Sequence, residues 1–329
     1  MRPLRPDDPR EIAGYRVLRL LGAGGMGRVY LGRSRGGRTV AIKVIRPELA
    51  DDPTFRARFR REVEAARRMT GPWTAPLLDA DTEAVQPWLV TGYVPGPALD
   101  VAVDTYGPLP AATVRALGAG LAEALAAMHA AGLVHRDLKP SNVLLGTDGP
   151  RIIDFGIARA LDATSLTRTG AAIGSPAFMS PEQAGGGTVG PPTDVFSLGS
   201  VLYFAATGTR PFTAQGLPAV MFEIMTQDPD LAAVPDELRD IIRHCLRKDP
   251  RERPSPQAVA GALAPDGAAA LMTAGWLPTE LVTDLSRRAV ELLDLEDETA
   301  TFAAGPDGGS GPAAGTGAGT GSGPALGPG

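Results

Sequence analysis

His135-Arg136-Asp137-Leu138-Lys139-Pro140-Ser141-Asn142 is the stretch from which the rest of this 329-residue chain is read. The chain holds only three His and three Lys, so HRDLKxxN is a very improbable chance pattern. Asp154-Phe155-Gly156 begins seventeen residues after Asp137. Two acids and an Asn in ordered loops suit a hard, oxygen-liganded cation such as Mg²⁺. Asp137 is then the acceptor for a hydroxyl proton.

Working outward, the second informative stretch is Gly22-Ala23-Gly24-Gly25-Met26-Gly27. Gly fills about one position in eight, so roughly half a GxGxxG match is expected by chance and the flanks must decide. A dinucleotide-binding fold needs a helix to start at such a loop. Here Arg28-Val29-Tyr30-Leu31 and a Gly36-Gly37 turn follow, which read as strand and hairpin. A glycine loop between antiparallel strands is a flap whose backbone amides can close over phosphates. Val40, Ile42 and Val44 then alternate with Thr39, Ala41 and Lys43 in a third strand. Arg supplies 29 of the 32 basic residues, so a Lys retained at 43 reads as a point charge for phosphates rather than a solvated side chain. Residues 54–69 read as a helix with Phe55, Phe59, Val63 and Ala66 inward. Its Glu62 and Glu64 both compete as the carboxylate partner of Lys43, with Glu62 bordering the packed face more closely.

On these motifs the sequence resembles the protein kinases, specifically the eukaryotic-like bacterial Ser/Thr kinases, over about residues 15–263. The resemblance implies an α+β bilobal fold, with a small β-rich N-lobe carrying one main helix and a larger, mostly helical C-lobe. It implies transfer of the ATP γ-phosphoryl group to protein Ser/Thr hydroxyls, with ATP and Mg²⁺ as cofactors. Residues Leu21, Gly22, Ala23, Gly24, Gly25, Met26, Gly27 and Val29 match the flap over ATP. Lys43 matches the phosphate anchor and Glu62 its helix partner. Asp137 matches the catalytic base, Asn142 and Asp154 match the metal ligands, and Lys139 would neutralise the transferring phosphoryl. Adenine would lie between Val29 and Ala41 above and Leu144 below, with Thr91 at the back and Gly92, Tyr93 and Val94 as hinge. Glu182 and Arg253 would form a buried ion pair. Arg136 before the base implies control by phosphorylation between Asp154 and Glu182, where Thr167 and Thr169 are the expected autophosphorylation sites. A homodimer would allow that reaction in trans. The alternative is a pseudokinase scaffold or nucleotide sensor, against which stand Lys43, Asp137 and Asp154 together.

The organisation follows. Residues 1–14 are expected to be a flexible leader, 15–264 the kinase domain (N-lobe 15–94, C-lobe 95–264), 265–302 a helical extension, and 303–329 a disordered Gly/Pro-rich tail. Further helices are expected at 110–132, 194–207, 217–227, 235–247, 256–263 and 278–295. Trp276 and the helix after it either pack on the large lobe or form a separate docking element. All 32 basic residues lie in 1–288 with 31 of the 37 acids, so the body is near neutral and the acidity belongs to the C-terminal extension. A net charge of −5 argues against nucleic acid as a partner. One Cys excludes a disulfide framework or a cysteine-based zinc site. The longest run suggestive of a span, the uncharged Val195–Thr209, is shorter than the ~20 predominantly apolar residues of a spanning helix. No signal peptide is read at the start, and a cytoplasmic location is expected, as a soluble kinase or as the cytoplasmic part of a longer receptor. The Arg bias and Ala/Gly/Pro richness suggest a GC-rich, actinobacterial genome.

Overall fold

The period-two stretches of the first lobe form β1 (Glu11–Ile12), β2 (Tyr15–Gly24), β3 (Gly27–Arg33), β4 (Thr39–Ile45), β5 (Leu77–Asp81) and β6 (Trp88–Gly92). They pair antiparallel in one sheet, in the order β1-β2-β3-β4-β6-β5. The computed structural model describes residues 1–69, 71–154, 176–273 and 275–303, with side chains to residue 292. One set of sheet residues, including Val17, Leu20, Tyr30, Ile42 and Val90, makes a small core of its own. Ile45 and Leu89 instead join the main core.

Between β4 and β5 lie α1 (Pro47–Ala50) and α2 (Pro53–Arg68). The start of α2 is set by Asp52, whose carboxylate accepts the Thr54 N–H at 2.8 Å, with Pro53 where its missing N–H costs nothing. The expected face is the one it buries. Phe55 and Phe59 stack at 5.9 Å, and Val63 and Ala66 continue the stripe into the main core.

The large lobe contains α3 (Leu99–Tyr106), α4 (Ala111–Ala130), the ribbon β7 (Val143–Gly146) and β8 (Gly149–Ile152), α5 (Pro181–Ala184), α6 (Pro191–Thr207), α7 (Leu217–Thr226), α8 (Asp236–Cys245), α9 (Pro256–Leu263), α10 (Ala268–Met272) and α11 (Thr279–Ala303). The long helices fall where the apolar periodicity puts them. α1, α3, α5 and α10 were not expected. Of these, α1, α5 and α10 have four or five residues, too few to carry a readable periodicity, and α3 was missed although it is as long as α9. Among the described residues α4 is the one helix long and apolar enough to cross a membrane, and 67% of its apolar window is buried inside the protein. Its all-round apolar character is that of a core helix, packed against α6 and α9.

Two expectations about organisation change. The first fourteen residues are not a frayed leader: Arg2 and Leu20 exchange backbone hydrogen bonds at 2.9 Å, and β1 pairs with β2. Asp8 is buried there and accepts from the Arg5 N–H at 2.8 Å, Arg28 Nη1 at 2.9 Å and the Tyr30 hydroxyl at 3.0 Å. A single buried carboxylate tying a Pro-rich segment to β3 leaves no periodic signal. At the other end the compact unit runs on to Arg288, and Ala289–Gly329 forms a second unit. The expected disordered tail falls almost wholly on 304–329, outside the described residues.

Candidate active site

The catalytic-loop sequence is shaped by one buried carboxylate. Asp194, in the first turn of α6 and without solvent exposure, accepts the backbone N–H groups of His135 and Arg136 at 2.8 Å each. It also accepts from His129 Nε2 at 2.7 Å. Arg136 itself holds φ at +63°, a left-handed value uncommon for a side-chain-bearing residue. Gln183 of α5 donates to the Arg136 carbonyl at 2.8 Å, and the Asn142 side chain donates to the Asp137 carbonyl at 2.8 Å. Charge-assisted bonds to a buried carboxylate are among the stronger ones available, so this loop is held rather than merely placed.

On that loop Lys139 donates to Asp137 Oδ2 at 2.9 Å, and Asn142 Nδ2 lies 3.4 Å from the same oxygen. Asn142 closes on β8 through its carbonyl, which accepts the Ile153 N–H at 3.0 Å. The next residue, Asp154, has φ +58° and accepts from Lys43 at 2.6 Å. Burial pushes the Asp154 carboxyl up, but the Lys43 charge and hydrogen bond outweigh it and hold the group below its ordinary value. Lys43 and Asp154 thus meet across the two lobes, and the backbone of Ile153 ties that pair to Asn142, Asp137 and Lys139.

A cavity of about 400 Å³ opens beside these residues. Val29, Ala41, Thr91 and Leu144 line it as an apolar slot, with Leu21 and Gly22 at the flap, Tyr93 and Val94 at the hinge, and Lys43, Asn142 and Asp154 at the polar end. The tip of the flap, Ala23 to Gly27, is outside that lining. Its glycines divide by role. A Cβ on Gly27 would stand 1.9 Å from the Val44 carbonyl oxygen, so Gly27 is demanded by strand packing. Around Gly22, Gly24 and Gly25 nothing lies within 4 Å of an added Cβ, which leaves their backbone open to an anionic ligand.

The protein kinase domain family matches residues 15–262. The chain belongs to the protein kinase family. It is 53% identical over 80% of its length to the probable serine/threonine-protein kinase PkwA of Thermomonospora curvata, covering 36% of that protein. It is 50% identical over 94% of its length to the serine/threonine-protein kinase AfsK of Streptomyces coelicolor, covering 39% of that protein. The chain therefore spans a little over a third of these curated relatives. Among solved structures, the kinase domain of Mycobacterium tuberculosis PknI aligns with a TM-score of 0.62 at 30% identity, over 78% of this chain and 96% of that one. These relatives are named as serine/threonine-protein kinases and are actinobacterial. The family works with ATP and a divalent metal.

Within the kinase frame the expected partner of Lys43 is elsewhere. Glu62 does not meet Lys43; its Oε1 is 3.7 Å from Arg136 Nη1. Glu62 Oε2 and Arg136 Nε are both buried without a hydrogen-bond partner. Burial pushes the Glu62 carboxyl up to about 7, against the pull of the Arg136, Arg58 and Arg61 charges. Helical periodicity fixes which face of α2 carries Glu62, but not how far that helix stands from β4. With Lys43 engaged by Asp154 and Arg136 turned by its left-handed backbone, Arg136 is the cation within reach.

Glu182 and Arg253 are joined by two hydrogen bonds of 2.8 Å. Arg253 has no side-chain exposure and also donates to the carbonyls of Arg247, Lys248 and Pro192, while Thr193 donates to Glu182 Oε1 at 2.6 Å. Thr167 and Thr169 lie outside the described residues. Sequence reasoning gave no role to Asp194 or His129. A signal for Asp194 was available in its place as the lone acid opening the uncharged run Val195–Thr209.

Proposed function

We propose that this chain transfers the γ-phosphoryl group of ATP to Ser or Thr hydroxyls of proteins. The observation that supports it best is the pairing of Lys43 with Asp154, tied through the Ile153 backbone to Asn142, Asp137 and Lys139, beside an apolar slot. Phosphoryl transfer asks for positioning and charge neutralisation rather than covalent chemistry. Lys43 is a point charge for the ATP phosphates, and the open flap backbone offers N–H groups to them. Asp137 orients the acceptor hydroxyl and takes its proton, while Lys139, 2.9 Å from it, offsets the charge of the moving group. The donor set suits a hard cation: Asn142 and Asp154 supply oxygens, and among the described residues no cluster of three or more His, Cys, Asp or Glu offers a rival site. Mg²⁺ held there would neutralise phosphate charge.

Activation is proposed to run through Arg136. Phosphate on Thr167 or Thr169, placed by a second copy of the chain, would pair with Arg136 and draw it from Glu62. Glu62 would then be available to Lys43. The test is transfer of labelled γ-phosphate from ATP·Mg²⁺ by wild type, Asp137→Asn and Lys43→Met, with the label mapped. Label on wild type alone, including Thr167 or Thr169, is the expected result. Equal labelling of either variant removes the catalytic assignment, and ATP binding without transfer by wild type would favour a scaffold or nucleotide sensor.

A further inference from the structure

Past residue 262, where the family match ends, the chain runs over the large lobe as a strap. The Ala268 N–H at the start of α10 donates to Glu123 Oε1 at 2.8 Å. Trp276 is buried, donates to the Gly146 carbonyl at 3.1 Å, and its own carbonyl accepts from Thr113 at 2.8 Å. The strap therefore packs on the large lobe rather than standing apart. α11 next buries Leu281 and Leu285, and a Cβ on Gly96, just after the hinge, would stand 3.3 Å from Leu285. Less than one turn beyond Leu285, Arg288 joins the lining of the nucleotide cavity.

Arg288 is set in place by Asp284, 4% exposed, whose Oδ2 accepts Arg288 Nε at 2.7 Å while the other oxygen accepts from Arg287. Its two terminal amino groups have no hydrogen-bond partner among the described residues. Arg288 lines the same cavity as Tyr93 and Val94 of the hinge, and its charge pulls back the Tyr93 phenol that burial pushes up. Lys43 is far along the same sheet: its register partner is Leu89, four residues before Tyr93, or about 13 Å of strand. The phosphates belong at the Lys43 end and the base in the apolar slot. The sugar then falls between the two, where the remaining lining includes Pro97, Ala98 and Val101, whose side chains offer it no hydrogen bond, and Ser141.

We propose that Arg288, from outside the kinase-family span, contacts the nucleotide by donating to its ribose hydroxyls. The inference rests on the reading of this cavity as the ATP site. A ribose hydroxyl desolvated there without a donor would weaken binding, and a guanidinium already braced by Asp284 loses little freedom in supplying one.

The test uses the full chain and measures Kd by calorimetry for ATP·Mg²⁺, 2′-deoxy-ATP and 3′-deoxy-ATP, with steady-state kcat and KM beside it. Arg288→Ala should weaken ATP about three- to tenfold, weaken at least one deoxynucleotide by a clearly smaller factor, and act on KM for ATP rather than on kcat. No change for ATP, or the same factor for all three nucleotides, overturns the proposal, since an arginine that merely shapes the hinge would move them together. If Arg288→Ala melts well below wild type, Arg288→Lys is compared in the same way, because it keeps the charge and loses the fork. Wild type that binds ATP but transfers nothing would sink the kinase reading and leave this one to the Kd ratios. Wild type that binds no ATP would sink both.

Discussion

Two carboxylates on opposite sides of the site live by different rules. Glu182 in the large lobe is met by a two-pronged Arg253 and a Thr193 hydroxyl, all within 2.8 Å. Glu62 in the small lobe faces Arg136 at 3.7 Å, with a buried oxygen and a buried nitrogen left over. Burial acts to raise both groups, but at Glu182 the hydrogen bonds of Arg253 and Thr193 win and the carboxyl is held low, whereas at Glu62 burial wins. The large lobe is a finished scaffold. The small-lobe contact is unfinished in a way that lets α2 exchange one cation for another.

The largest effect should come from removing the post on which the scaffold holds the catalytic loop. Asp194→Ala strips acceptors from two backbone N–H groups and from His129 at once. Stability should fall by about 3–5 kcal/mol, and kcat by about a hundredfold as Asp137 loses its position. Melting and transfer rates on the same preparation check this. A variant that keeps full kcat would mean that the loop is held by Gln183 and Asn142 instead.

Next comes the ion pair. Arg253→Met leaves Glu182 buried against Thr193 alone and should cost about 3–5 kcal/mol in denaturant unfolding. Transfer by the protein that remains folded should change little, because the pair does not line the cavity. The pH dependence has a definite sign. Glu182 has a folded pKa below its unfolded value, so its contribution is present above the unfolded value near 4.5 and is lost as pH falls through the lowered one. Glu182→Gln should flatten that acid limb. An unchanged acid limb would show the pair to be dispensable, and the contrast with Glu62 would lose its footing.

This contrast also marks what the sequence could show. The strands around the glycine flap, the face of α2 and the grouping of Asp137, Lys139 and Asn142 were legible because each is encoded within one element or one short motif. Glu182 and Arg253, 71 residues apart, were legible only through the family resemblance. Asp194 opens a helix that was legible, yet its bonds to the His135 and Arg136 N–H groups join residues 59 and 58 positions apart, a pairing no local pattern announces. Asp8 and Arg288 are harder still. Asp8 is a single charge in a Pro-rich segment, held against Arg28 and Tyr30 beside the pairing of β1 with β2. Arg288 lies on a helix the periodicity predicts but reaches the cavity only through the packing of Trp276, Leu281 and Leu285. The placement of Glu62 was open for a different reason. A helix pattern fixes direction around an axis, while the distance between α2 and the sheet is a property of the conformational state.

That last point gives the smallest effect in energy and the most telling in direction. The folded Glu62 carboxyl sits near 7 against a model-compound value of 4.5, so between those limits the folded chain binds a proton that the unfolded chain has released. Stability must therefore fall as pH rises from about 4.5 to about 7, the reverse of the Glu182 case, by about 2–3 kcal/mol. Glu62→Gln cannot lose that proton and should not show the decline, so at pH 7.5 it should unfold at higher denaturant than wild type while transferring phosphate more slowly. A residue whose charge weakens the fold and whose loss weakens the reaction is one kept for the exchange between Arg136 and Lys43. If Glu62→Gln is no more stable than wild type at pH 7.5, the carboxylate is already well paired at rest. The small lobe is then as finished as the large one, and Arg136 has no grip on α2 for a phosphate to release.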